Sequence, residues 1–86
     1  MNLNYTIARY EFIDKDRFLV AFNICDDHEN GAYIETILQT SDISEKTKQE
    51  VCQLAYNNLK PKIEELKTKF AELQSSIIGY QFVPTE

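Results

Sequence analysis

The sequence predicts an α+β fold, and three observations predict it: an alternating apolar run from Arg17 to Cys25, an Asn30-Gly31 pair that reads as a hairpin turn, and an apolar stripe at helical spacing from Cys52 to Ile77. Taken in chain order they give β-β-β-α-β, a mainly antiparallel sheet of about four strands with one long amphipathic helix on one face. A chain of 86 residues has room for a single domain, 1–86, and buries only about 60% of the surface its unfolded form exposes. Association with another chain would add buried area.

Along the first strand, Leu3, Tyr5 and Ile7 share one parity while Ala8, Tyr10 and Phe12 share the other. The apolar side therefore switches near Ala8 and Arg9, as a β-bulge would make it do. Asp14-Lys15-Asp16 reads as the turn into the next strand, because aspartates bond their own turn backbone. In the second strand Phe18, Val20, Phe22 and Ile24 alternate with Leu19, Ala21 and Asn23, so one face is strongly apolar and should meet the helix. The polar loop Asp26 to Gly31 leads into a third strand, Ala32 to Thr40, whose apolar groups fall on both parities and leave its inward face open.

The helix is expected from Ser44 to Ser75, with Asp42 or Ser44 as its N-cap. Within it Cys52, Tyr56, Leu59, Ile63, Leu66, Phe70, Leu73 and Ile77 follow one another at steps of four and three, while Val51, Leu54 and Ala55 widen the stripe at its start. Pro61 removes one backbone hydrogen bond, which predicts a kink or break around residues 57–60. Such a helix outruns a nine-residue strand, so it either folds back at Pro61 or has its overhang covered by another chain. The final run, Ile77 to Val83, reads as a last strand with Ile78, Tyr80 and Phe82 on one face and Gly79 as a bulge.

Charge is unevenly spread. Residues 1–43 hold eight acids against Arg9, Lys15 and Arg17, whereas residues 44–86 balance six lysines with six glutamates. The candidate acidic patch is Asp14, Asp16, Asp26, Asp27 and Glu29, with Glu11 and Glu35 beside it. The helix lysines Lys60, Lys62, Lys67 and Lys69 fall on different sides and alternate with Glu64, Glu65 and Glu72, Glu65 being well placed to pair with Lys69; this is a solvated face, which argues against nucleic-acid binding.

Catalytic constellations are missing. His28 is the single histidine, and Asp26-Asp27-His28-Glu29 offers metal-ligand types in consecutive positions that diverge rather than converge. Cys25 lies three residues from it with nothing to orient the pair or to hold an oxyanion. Neither Gly31 nor Gly79 opens a helix, which excludes a phosphate-binding glycine loop. The two cysteines, Cys25 and Cys52, are read as reduced packing residues, and no window is apolar and long enough for a signal peptide or membrane span, so a cytoplasmic protein is expected.

These features predict a non-catalytic protein-interaction or structural accessory protein, with no cofactor, metal, nucleic acid, membrane or small-molecule substrate, whose partner is a protein and first of all a copy of itself. The expected interface is Tyr56, Leu59, Ile63, Leu66, Phe70, Leu73 and Ile77, and Tyr5, Tyr10, Tyr33 and Tyr80 could add rigid amphipathic contacts where they are exposed. An alternative is a small acidic inhibitor that occupies the basic groove of a nucleic-acid-binding protein. A second alternative is a metal-dependent enzyme using Asp26, Asp27 and His28. In size and element order the chain resembles short phage and prophage proteins such as virion or tail-assembly components, which implies a structural role in the virion or host cytoplasm; no motif accompanies the resemblance.

Overall fold

The computed structural model describes residues 2–77, 79 and 81–85. It is an α+β arrangement: strands β1 (Asn4–Phe12), β2 (Arg17–Cys25) and β3 (Gly31–Gln39), a single helical turn α1 (Thr40–Ile43) and a long helix α2 (Lys48–Ile77). The strands form an antiparallel three-stranded sheet in the order β1-β2-β3, so β2 is central and β1 and β3 are both edges. No helix among the described residues is long and apolar enough to cross a membrane.

The parity switch in β1 has the physical cause expected of it. Ile7 pairs with Phe22 and Arg9 with Ala21, leaving Ala8 as the extra residue of a bulge. Tyr5 and Ile7 before the bulge, and Tyr10 and Phe12 after it, thereby all point to the side of Phe18, Val20, Phe22 and Ile24. In β3 the register settles the inward face: Ile34 and Leu38 lie beside Phe22 and Phe18 and are buried, whereas Tyr33 and Ile37 face the other way and are about half exposed.

Helix α2 covers the first of these faces. Val51, Ala55, Leu59 and Ile63, at steps of four, join Phe18, Val20, Phe22, Ile24, Ile34 and Leu38 in one core. The centre of the helix's buried stripe therefore runs through Val51 and Ala55, with Cys52, Leu54, Tyr56 and Leu66 flanking it. The Tyr56 ring meets Tyr5 edge-on at 5.6 Å, and Tyr10 and Phe12 meet Phe18 edge-on at 4.7 and 5.0 Å. Such pairs fix ring orientation beyond what area burial alone would do.

Several sequence expectations are corrected. The helix is capped by Thr47, not by Asp42 or Ser44: the Glu50 amide donates to Thr47 Oγ1 at 3.2 Å while Glu50 Oε1 accepts from the Thr47 amide at 3.0 Å. This reciprocal box satisfies two amides that the first turn leaves unpaired. Residues Thr40–Ile43, expected as strand end and cap, form their own helical turn instead. Helix α2 runs on through Pro61 as one element, the alternative that the unbroken spacing of the stripe favours over a break, but ends at Ile77, two residues beyond the expected end at Ser75. Pro61 is on the exposed side, so the Asn57 carbonyl it leaves without an amide faces water rather than the core.

Among the described residues the sheet has no fourth strand. The stretch Gln81–Thr85 has no regular structure, Ile77 ends the helix, and Ile78 and Tyr80 lie outside the described residues. Gly79 takes a left-handed backbone, φ 85°, in a turn just past the helix rather than a strand bulge; a helix that stops at a left-handed residue favours glycine there.

Candidate functional site

The acidic loop is organised by one side chain. Asp26 Oδ1 accepts the His28 and Asn30 amides at 2.9 Å each, and Oδ2 accepts from Asn30 Nδ2 at 2.9 Å. Asp26 is itself buried, and the Asn30 side chain in particular holds its carboxyl below the usual carboxylate range. The left-handed residue of this turn is Glu29, φ 65°, and not the Asn30-Gly31 pair; Gly31 already belongs to β3, opposite Cys25. Most of the acceptor capacity of Asp26 is thus committed to its own turn, and no cluster of three metal-ligand types occurs among the described residues.

Asp14 plays the same part in the other hairpin. Its Oδ1 accepts the Asp16 and Arg17 amides and its Oδ2 accepts from Arg17 Nε, all at 2.9 Å, and the Asp16 amide followed by Arg17 lowers its pKa. The two turns close opposite ends of β2, about 30 Å apart for nine extended residues. Asp14 and Asp16 are thus separated from Asp26, Asp27 and Glu29, and these five acids do not make one surface.

Cys25 is exposed at the end of β2, whereas Cys52 is half-buried on α2 and burial raises its thiol pKa; both are free. A thiol pushed upward is a poorer nucleophile at neutral pH. The helix charges are solvated: Lys67 pairs with Glu64 at 3.2 Å, rather than Lys69 with Glu65, and Lys60 lies 5.8 Å from the centre of the Tyr56 ring.

The expected helix interface divides in three. Leu59 and Ile63 are committed to the core, with Tyr56 and Leu66 at its margin. Phe70 is buried outside that core, and Leu73 is 55% exposed. The side chain of Ile77 lies outside the described part. A 30-residue helix is about 45 Å long and a nine-residue strand about 30 Å, so the segment past Leu66 extends beyond the sheet; the molecule's longest dimension is 56 Å.

A second surface was not singled out by the stripe argument. Strand β1 pairs only with β2, so among the described residues its outer backbone is unpaired along nine residues. On its helix side Tyr5, Ile7 and Phe12 are 39%, 43% and 63% exposed, followed by Ile13 at 42%. These side chains lie on the core face, yet the helix leaves them partly uncovered. The sequence leaves the inward face of β1 undecided; its register with β2 places Tyr5, Ile7 and Phe12 on the core face, and the position of α2 determines that they remain partly open. A shallow cleft of about 370 Å³ lies beside Leu38, Asp42, Lys46, Leu54 and Asn58.

Neither a known protein family, nor a curated protein, nor a solved structure matches this chain. The geometry alone therefore carries the functional argument.

Proposed function

We propose that the chain is a non-catalytic, self-associating protein of structural or assembly type. The observation that supports this reading is the open strand β1, where an unpaired backbone edge adjoins the partly uncovered Tyr5, Ile7, Phe12 and Ile13. Strand β1 is a long edge without lysine or proline, and although its Ala8 bulge and its Arg9 and Glu11 are features that can blunt an edge, the two charges are of opposite sign and permit pairing with another chain. Apolar side chains next to it add a hydrophobic component that backbone pairing lacks. On this reading the sheet gains its further strand from a neighbouring molecule, in place of the Ile77–Val83 segment.

Molar mass in solution tests the proposal. Light scattering at tens of micromolar should give about twice the 10.0 kDa of one chain or more, and the value should persist at high salt because apolar contacts are not screened. A mass of 10.0 kDa at low and high salt overturns it.

A further inference from the structure

The geometry points to β1 as the seam of a two-fold dimer, in which two copies of β1 pair antiparallel with Tyr10 opposite Tyr10 and the two sheets merge into one of six strands. This rests on the self-association proposed above and adds to it the surface, the occupant and the register.

The occupant is argued from charge. Strand β1 carries two charged residues, Arg9 and Glu11, and both point to the face away from the helix, opposite Ala21 and Leu19. In an antiparallel pair about a two-fold axis, a register centred on Tyr10 sets Arg9 of each copy against Glu11 of the other. Centring on Arg9 sets two arginines face to face, and centring on Glu11 sets two glutamates face to face. Like charges directly opposite are unfavourable and opposite charges favourable, so the strand is complementary to itself in one of these three registers. Strand β3 lacks this property, since its one charge is Glu35 and no register of β3 on itself gives that residue an opposite charge.

Apolar fit agrees. Moving outward from Tyr10, Phe12 of one copy meets the bulge of the other, and beyond the extra residue Ala8 the next side chain on the helix side is Ile7. The bulge that realigns β1 on β2 thus brings together Phe12 and Ile7, two of the exposed apolar residues of this strand. Because the axis is perpendicular to the sheet, both helices stay on the same face and flank this row.

Exchange of the two charges tests the register. Arg9 and Glu11 are about half exposed, so Arg9→Glu and Glu11→Arg should each keep the wild-type circular dichroism spectrum, while thermal unfolding falls with the loss of the dimer. Each variant alone places like charges at both symmetric positions, and its dimer dissociation constant should rise about tenfold or more. The double variant, and an equimolar mixture of the two singles, restore Arg–Glu pairs and should return to within about threefold of wild type. A wild type that is monomeric overturns self-association and the seam together. A wild-type dimer indifferent to both single variants overturns the seam and leaves self-association standing, and single variants that dissociate but fail to recover when mixed overturn the register.

Discussion

The two faces of the sheet are closed by different means. On one, α2 lays Val51, Ala55, Leu59 and Ile63 over Phe18, Val20, Phe22 and Ile24. On the other, no helix or strand among the described residues lies above β2, yet Leu19 and Ala21 are only 4% and 0% exposed. Their shelter comes from the edge strands. Arg9 pairs with Glu11 on β1, and on β3 the Tyr33 hydroxyl donates to Glu35 at 2.8 Å. With Ile37 beside Leu19, these side chains arch over the central strand. Long amphipathic side chains can hide apolar surface while keeping their polar ends in water. One face is therefore a packed core, and the other a single layer under a hydrated roof.

The difference is most severely tested by truncating a side chain on the packed face. Phe22→Ala removes a ring that is 4% exposed and in edge contact with Tyr5 at 6.3 Å. Helix and sheet are both rigid around it, so the void cannot collapse, and denaturant unfolding should show a loss of about 3 to 5 kcal/mol. A loss under about 1 kcal/mol would mean that this face is not the core.

Leu19→Ala makes the matching change on the open face. The side chains around Leu19 on this face are about half exposed and so have room to settle into the space, which places the expected loss at about 2 kcal/mol, the low end for a buried leucine. Equal losses for Phe22→Ala and Leu19→Ala would erase the distinction between the faces.

Both faces end at the Asp26 turn, and its contribution has a defined pH dependence. The Asp26 carboxyl is held, chiefly by Asn30, below the pKa it has in the unfolded chain, so the folded state binds its proton less readily. The stability it confers is fully present above the unfolded value of about 4 and is lost as pH falls through the lower folded value. Asp26→Ala should lower the unfolding midpoint at pH 7 and flatten the dependence between about pH 4 and 2. Asp27→Ala, in the same turn but exposed, should leave the midpoint at pH 7 nearly unchanged. An Asp26→Ala variant with an unaltered acid limb would assign that limb to other carboxylates.

Much of this architecture is legible in the residues themselves. Alternation in β2 gives its bounds and its core face, and the parity switch in β1 locates the bulge at Ala8. The stripe along α2 identifies a buried face, although Val51 and Ala55, which only widen it, are as deeply buried as Ile63 within it. What alternation does not reveal is how far a neighbour reaches. Ile7 and Phe12 obey the pattern of core residues and stay exposed because α2 leaves the outer part of β1 uncovered. Local chemistry also misleads where two candidates compete: Ser44 and Asp42 are good caps in isolation, but the Thr47–Glu50 box bonds both ways and starts the helix later. For the same reason Ile77 to Val83 reads as a strand by composition, although the helix runs through Ile77 and Gly79 follows it in a left-handed turn.

The smallest expected effect probes the roof itself. Glu35, accepting the Tyr33 hydroxyl, raises the Tyr33 pKa above its ordinary value, because a tyrosinate would stand against a carboxylate. A raised folded pKa means that the folded state holds this proton more tightly, so the bond stabilises below about pH 10 and fails as pH rises through the folded value. Tyr33→Phe should leave stability at pH 7 nearly unchanged, since the pair is exposed and water replaces it. Above pH 10 the variant should lose stability less steeply than the wild type. The remaining slope includes Tyr5 and Tyr10 on the helix face and Cys52 on α2, whose pKa values are all raised first of all by burial. Unfolding midpoints measured from pH 9 to 11 for the two proteins separate the contributions: if the curves stay parallel throughout, the roof adds nothing, and Leu19 and Ala21 are sheltered by side-chain bulk alone.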